Sequence, residues 1–413
     1  MTTDRQKTLN TIKTLVATKH VTVDPEVYAE WASTLDRVTP DLLTASPADF
    51  QQTIHSLLAT FQTSHTGFLK PDAEMIPLRH ALCATARKHP SADGERWVFQ
   101  DVIEDGPADL AGIRPGDLLL AKDGVPIFAA DNPRFGFGGT YSFVLGNLNG
   151  TGPRTVSVTV PNKPAKDRPP MIEPKALSFR YEEGIPILKV TTFPGAVGLR
   201  FAKELDGIVG KLTTENSDRL IVDLRGNIGG GLASLRLMSY LCPDRRPIGY
   251  SLTKRHIQKG TKPADLPRIN RLPESKLRQL GMFVRFRFIH KDRSLVLETE
   301  GLGSRPFHGH IVMLINEHTH SAAEMVAAFA KENRLATLVG TTTAGEVMGG
   351  ATFTAGEGYR LRIPVTTWQT WGGMQIEKKG VTPDILVEFR AEEAGGSKDS
   401  QLQVALKTVR ELA

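Results

Sequence analysis

Apolar residues change their period along the chain, and the changes divide it into three stretches. In residues 1–70, Leu9, Ile12, Leu15 and Val16 recur at helical spacing, and Phe50, Ile54, Leu57, Leu58 and Phe61 do so again. Ser46, Pro47 and Asp49 are residue types that open a helix, so the second helix is expected to start there. It should stop at the glycine of TSHTGF, residues 63–68. Residues 71–165 read differently, with strand-like runs around a short helix at 107–111. Turns follow at Gly112, Pro115 and Gly116, a strand at 118–122, and a hairpin signal at Asp123-Gly124. A strand at 155–160 precedes the Pro-rich PNKPAKDRPP, which reads as a linker.

From about residue 175 strands alternate with helices. Residues 187–190, 220–224 and 311–315 read as strands, and 197–212, 232–241 and 322–331 as helices. The alternation predicts an α/β domain with a largely parallel sheet. Polar, basic residues around 253–280 suggest a surface excursion, and MFVRFRFIHKDR at 282–293 alternates apolar and charged residues as a strand would. That alternation also answers the reading of 282–293 as a base-stacking segment. The expected domains are therefore a helical segment at 1–70, a β-rich domain at 71–165 and an α/β core at 166–413.

Composition narrows the class. Of 413 residues, 40% are apolar and 23% charged, as in an ordinary globular protein. The formal charge of +6 is too mild over this length to imply a nucleic-acid partner. No apolar run approaches the ~20 residues that span a bilayer. No secretory signal is visible at MTTDRQKTLN, so a cytoplasmic protein is expected, or an exported one whose leader has been removed. The two cysteines, Cys83 and Cys242, are expected to be free and buried.

Two strand ends carry candidate chemistry. In IVMLINEHTHSAAEMVAAFA a buried strand turns into a small-residue helix at Ser321. A serine there either caps the helix or stands as a nucleophile beside free N–H groups, with Ala322 N–H available to an oxyanion. In IVDLRGNIGGG the glycines allow close backbone approach, so Gly229 or Gly230 could donate a second bond; a plain structural turn is the other reading. A phosphate loop is disfavoured, since neither GxGxxG nor a closing Lys-Ser/Thr is present. His308, His310, His318 and His320 form two H-x-H pairs, but a strand length separates them and no HExxH accompanies them, so no metal is expected.

DLRGNIGG followed by THSAAEMVA resembles the paired core motifs of tricorn-like and carboxyl-terminal-processing serine peptidases. GPADLAGIRPGDLLLAKDGVPI is similar to their PDZ domain, and GVTPDILVE to their closing motif. The resemblance implies an α/β core of the Clp-protease/crotonase type, no cofactor, and peptide or unfolded-protein substrates engaged in part by the PDZ-like domain. Such peptidases often assemble, so a homo-oligomer is left open. The processing branch uses a lysine where this chain has Glu346, and a carboxylate cannot serve as that amine base. The tricorn branch uses a Ser-His pair and a late glutamate, matched here by Ser64-His65 and Glu377. The resemblance thus implies Ser321 as nucleophile, His65 as base, Glu377 and Ser64 as its orienting partners, and Ala322 and Gly229 as oxyanion donors. A peptide-binding protein that does not cleave, and a zinc hydrolase using the histidine pairs, are the rival readings. In PLRHALCATARKH, residues 77–89, no glycine-hydrophobic-glycine pattern is evident, so the carboxylate-binding loop of a PDZ domain is not located there.

Overall fold

The computed structural model describes residues 2–70, 75–148, 152–164, 171–195, 197–285, 293–303, 306–394 and 399–412. The chain forms two compact units, neither of them contiguous. The first gathers Met1–Ala73, Asp244–Gly301 and Gly345–Gly380; the second gathers Glu74–Pro243, Leu302–Ala344 and Val381–Ala413. Segments 244–301 and 345–380, assigned to the α/β core by pattern, thus join the N-terminal helices.

In the first unit the helices Thr2–Lys19, Pro25–Thr44 and Pro47–Ala59 begin where the residue types predict. Ser46 Oγ accepts from Asp49 N–H, which fixes the start of the third helix. Leu9, Ile12, Val16, Phe50, Ile54 and Leu58 are buried together with Phe68, Tyr359, Leu361 and Ile363. Those last residues belong to a three-stranded antiparallel sheet of Gly67–Leu69, Tyr359–Thr366 and Gly349–Gly356. The Phe68 and Tyr359 rings stack at 4.7 Å, so the helices are closed by strands almost 300 positions away in sequence. A second small sheet contains Pro247–Ser251, Leu295–Glu298, Arg268–Ile269 and Gln369–Thr370. The expected strand at 282–293 is not found where it can be seen. Lys276–Val284 is a helix, capped by Ser275 accepting from Arg278 N–H, and residues 286–292 lie outside the described residues. The cap and the helical spacing of Leu277, Leu280 and Val284 outweigh the alternation that begins at Met282.

The second unit is built on a six-stranded mixed sheet in the order Leu177–Glu182, Ile185–Val190, Arg219–Asp223, His310–Ile315, Thr337–Gly340, Ile385–Leu386. The first pair is antiparallel and the others parallel. The three apolar runs expected as strands are all in it, and the helices Leu199–Thr214, Ser234–Leu241 and Ala322–Glu332 follow as the alternation predicts. The same unit contains an antiparallel β-rich domain: Ala84–His89, Arg96–Val102, Asp117–Lys122, Thr140–Asn147 and Arg154–Thr159. Phe99, Leu119, Phe135, Phe143 and Leu145 form its core, and the hairpin turn falls at Asp123-Gly124. Cys83 and Cys242 are free and buried, and burial pushes the Cys83 thiol up to about 12.

Candidate active site

Two clusters carry the predicted site residues, one in each unit. In the second unit, the parallel strands Arg219–Asp223 and His310–Ile315 are neighbours, so their carboxyl ends open side by side. Ligand sites of such sheets lie at those ends. Each strand leads into a turn, and buried side chains stitch the turns together. Asn316 Oδ1 accepts from Gly226 N–H at 3.1 Å, Thr319 Oγ1 donates to the Leu224 carbonyl at 3.0 Å, and His320 N–H donates to the Asn227 carbonyl at 2.9 Å. Asn227, Asn316 and Thr319 are fully buried, so each of these bonds is shielded from water.

Ser321 stands at the end of this turn with φ 53° and ψ −119°, a conformation L-residues rarely adopt. What holds it there is Glu324, 0% exposed, whose Oε2 accepts from Ser321 N–H at 3.0 Å. Glu324 Oε1 in turn accepts from Thr343 Oγ1 at 2.7 Å, and Thr343 Oγ1 accepts from Val381 N–H at 2.7 Å. A serine strained in this way on a strand-to-helix turn has its hydroxyl exposed, the setting in which acyl-transfer sites present a nucleophile. Ala322, the next residue, opens the helix Ala322–Glu332, so its N–H lies in the turn that has no intrahelical acceptor.

Gly229 packs directly on this serine. A Cβ there would lie 2.7 Å from Ser321 Cβ and 2.8 Å from the His320 carbonyl oxygen, and its φ is +79°, so only glycine fits. The expected role for its N–H needs correcting, however. Gly229 N–H already donates to Asn227 Oδ1 at 2.7 Å, because that side chain folds back under the loop. Gly229 C=O accepts from Phe193 N–H at 2.8 Å, and across the trans peptide the Gly230 N–H points the other way.

In the first unit the Ser64-His65 pair ends a turn before the strand Gly67–Leu69, and His65 has φ +60°. Four donors converge on the Glu377 carboxylate. Ser64 N–H reaches Oε1 at 3.0 Å; Ser64 Oγ, Val347 N–H and Met348 N–H reach Oε2 at 3.1, 3.0 and 3.2 Å. Ser64 Oγ is also 3.1 Å from His65 Nδ1. These contacts assign the protons. An ionised carboxylate only accepts, so the single Ser64 hydroxyl hydrogen goes to Glu377, and Nδ1 must carry the hydrogen it shares with Ser64. The basic lone pair of neutral His65 is then at Nε2. Gly350 makes room for the ring, since a Cβ there would lie 3.1 Å from His65 Cδ2. Glu346 is an exposed carboxylate.

Sequence reasoning missed Glu324, Thr343, Asn227 and the Val347 and Met348 amides. The first was detectable: Ser321 and Glu324 have the S-x-x-E spacing of a capping box. The histidine pairs remain at opposite ends of the strand His310–Ile315, and among the described residues no group of three or more His, Cys, Asp or Glu could hold a metal ion. No described helix is long and apolar enough to cross a membrane.

The chain is 25% identical over 293 residues to a carboxy-terminal-processing protease of Bartonella bacilliformis, covering 69% of this chain and 57% of that one. It is 26% identical over 305 residues to the carboxy-terminal processing protease CtpA of Bacillus subtilis, covering 72% and 54%. The chain therefore spans little more than half the length of these curated relatives. Among solved structures, the photosystem II D1 C-terminal processing protease shares the fold, with a TM-score of 0.56 at 17% identity over 94% of both chains. Residues 184–387 match the model of Peptidase family S41. That stretch contains Ser321, Gly229 and Glu377, and through it the chain is similar to peptidase family S41.

Proposed function

We propose that the chain is a serine peptidase of the carboxyl-terminal-processing kind, hydrolysing peptide bonds in unfolded proteins through an acyl-enzyme on Ser321. The catalytic set is of the tricorn type: Ser321, His65, Ser64 and Glu377. The observation that carries this reading is the continuous hydrogen-bonded run from Glu377 through Ser64 to His65 Nδ1, which leaves Nε2 as the base.

In the proposed reaction Ser321 Oγ attacks the carbonyl carbon while His65 Nε2 takes its proton, which requires an approach of about 3 Å in the reacting complex. Glu377, acting through Ser64, favours the imidazolium that forms. The oxyanion is received by Ala322 N–H and, in place of Gly229, by Gly230 N–H. The imidazolium then protonates the leaving amine, and water activated by His65 releases the acyl group. The β-rich domain is assigned as PDZ-like, capturing an extended part of the substrate, and the six-stranded sheet as a core of the Clp-protease/crotonase type.

The test is turnover of an unstructured protein such as reduced, carboxymethylated α-lactalbumin. The intact chain should cleave it with or without a chelator, and Ser321→Ala should abolish cleavage with the fold retained. No cleavage by the well-folded intact chain would favour a peptide-binding protein instead, and loss of activity on chelation a metal hydrolase.

A further inference from the structure

We propose that the second unit contains a peptide-binding site distinct from the Ser321 turn, in which an extended chain adds a strand to the free edge of Leu177–Glu182. A cavity of about 750 Å³ lies along that strand, touching Leu177, Ser178, Phe179, Arg180 and Glu182. Its volume is within the ~300–1,000 Å³ of ligand sites. Ser321 and the glycines beside it do not line it.

The backbone directions follow from the hairpin. Leu177–Glu182 is the end strand of its sheet and, among the described residues, pairs only with Ile185–Val190. The two strands are joined by Glu183-Gly184, with φ 50° and 78°, the turn type in which the flanking residues exchange both hydrogen bonds. Glu182 is therefore bonded to Ile185, and alternation makes Arg180 with Ile187 and Ser178 with Lys189 the next bonded pairs. The bond from Thr191 N–H to the Ala176 carbonyl, 3.0 Å, continues the series. The N–H and C=O groups of Leu177, Phe179 and Tyr181 are thus directed away from the partner strand.

A second wall supplies an independent sign of a ligand. Gln100, on the strand Arg96–Val102, lines the cavity, is 4% exposed, and has no partner for either Oε1 or Nε2 among the described residues. A buried carboxamide that makes no bond is costly, and a peptide group offers both the donor and the acceptor it needs. Ile208 and Phe389 add apolar wall, while Glu104 and Glu204 balance Lys175 and Arg180. With six carboxylates against five cations, the lining does not select a polyanion. An extended peptide satisfies the open edge, the carboxamide and the balanced charge together.

The experiment is amide hydrogen exchange on the full-length Ser321→Ala chain, with and without β-casein as an unstructured probe. Amides of Leu177, Phe179 and Tyr181 should slow at least tenfold, while those of Ser178, Arg180 and Glu182, already bonded across the hairpin, stay unchanged. Gln100→Leu should weaken casein binding about tenfold, which corresponds to ~1.4 kcal/mol. If that variant misfolds, Ile208→Trp fills the same cavity and should do the same. Slowing confined to the Ser321 turn, or equal slowing in both variants, overturns the proposal. Because the readout is binding by a chain lacking the nucleophile, failure of the peptidase reading would leave this test intact.

Discussion

The unit that carries His65 and the unit that carries Ser321 fix their side chains by different means. Around Ser321, buried amides and a buried carboxylate hold two adjacent turns that sit at the ends of neighbouring strands. Around His65, one carboxylate gathers segments far apart in sequence, and the bond from Ser64 to Glu377 closes a separation of 313 residues. Ser321 is thus held by turns at neighbouring strand ends, and His65 by long-range closure. Strain in the first should respond to sterics, and order in the second to charge.

The largest effect is expected at Gly229. Gly229→Ala places a methyl 2.7 Å from Ser321 Cβ at a φ of +79°, so the serine turn must move. Peptide hydrolysis should fall by roughly 10²–10³, comparable to loss of an oxyanion donor, while the first unit keeps its exchange pattern. Unchanged rates would mean that the close packing of these turns is incidental.

A smaller effect is expected at Glu377. A glutamine can offer its oxygen to the three donors at Oε2 only by turning its NH₂ toward Ser64 N–H, so one contact becomes repulsive and the charge is lost. Hydrolysis by Glu377→Gln should drop by less than the ~10²–10⁴ that a general base contributes, since members of such a set do not act additively. A loss as complete as that of Ser321→Ala would show that Glu377 has a structural role beyond orienting His65.

The smallest effect is one of pH. His20 is fully buried in the first unit, with Nε2 3.4 Å from Thr63 Oγ1, just before the Ser64-His65 pair. Burial, helped by the Lys254 ammonium, pushes its pKa down to about 4. An unfolded imidazole titrates near ~6.5, so the neutral folded form contributes its full stability above that value and loses it as pH falls toward 4. At Asp223, in the second unit, the sign is that of a carboxylate. Burial alone would raise Asp223, but Arg225 and Lys189 hold it well below the usual range, so its contribution is present above ~3.9 and is lost only below that. Acidification from about pH 7 to about pH 5 should cost the first unit about 2 kcal/mol, read by amide exchange in Pro47–Ala59; the second unit also loses stability as pH falls below ~6.5, because burial lowers the pKa of its His318. His20→Leu should remove the step in Pro47–Ala59 and leave that of the second unit in place; an unchanged step in Pro47–Ala59 would contradict it.

How much was legible follows from the same contrast. The strands Arg219–Asp223 and His310–Ile315, their turns, and the helix after Ser321 were readable because each is a local pattern of apolar run, glycine and cap. Ser64, His65 and Glu377 were found only through resemblance, because nothing local marks a serine and a glutamate that meet across most of the chain. The recruitment of Gly349–Gly356 and Tyr359–Thr366 to the N-terminal helices was invisible for the same reason: pairing between Gly67 and Arg362 leaves no short-range trace. The Gly229 N–H was misjudged because Asn227, two residues earlier, competes for it, and the sequence does not say which way a loop amide faces.

The central claim is that His65 activates Ser321. The rate at which a fluorophosphonate labels the full-length chain tests it most directly, with the modified residue identified by peptide mapping. Label should appear on Ser321 and form at least a hundredfold more slowly in His65→Ala, within the ~10²–10⁴ expected for a general base. Equal rates in the two proteins, or label on another serine, would contradict it.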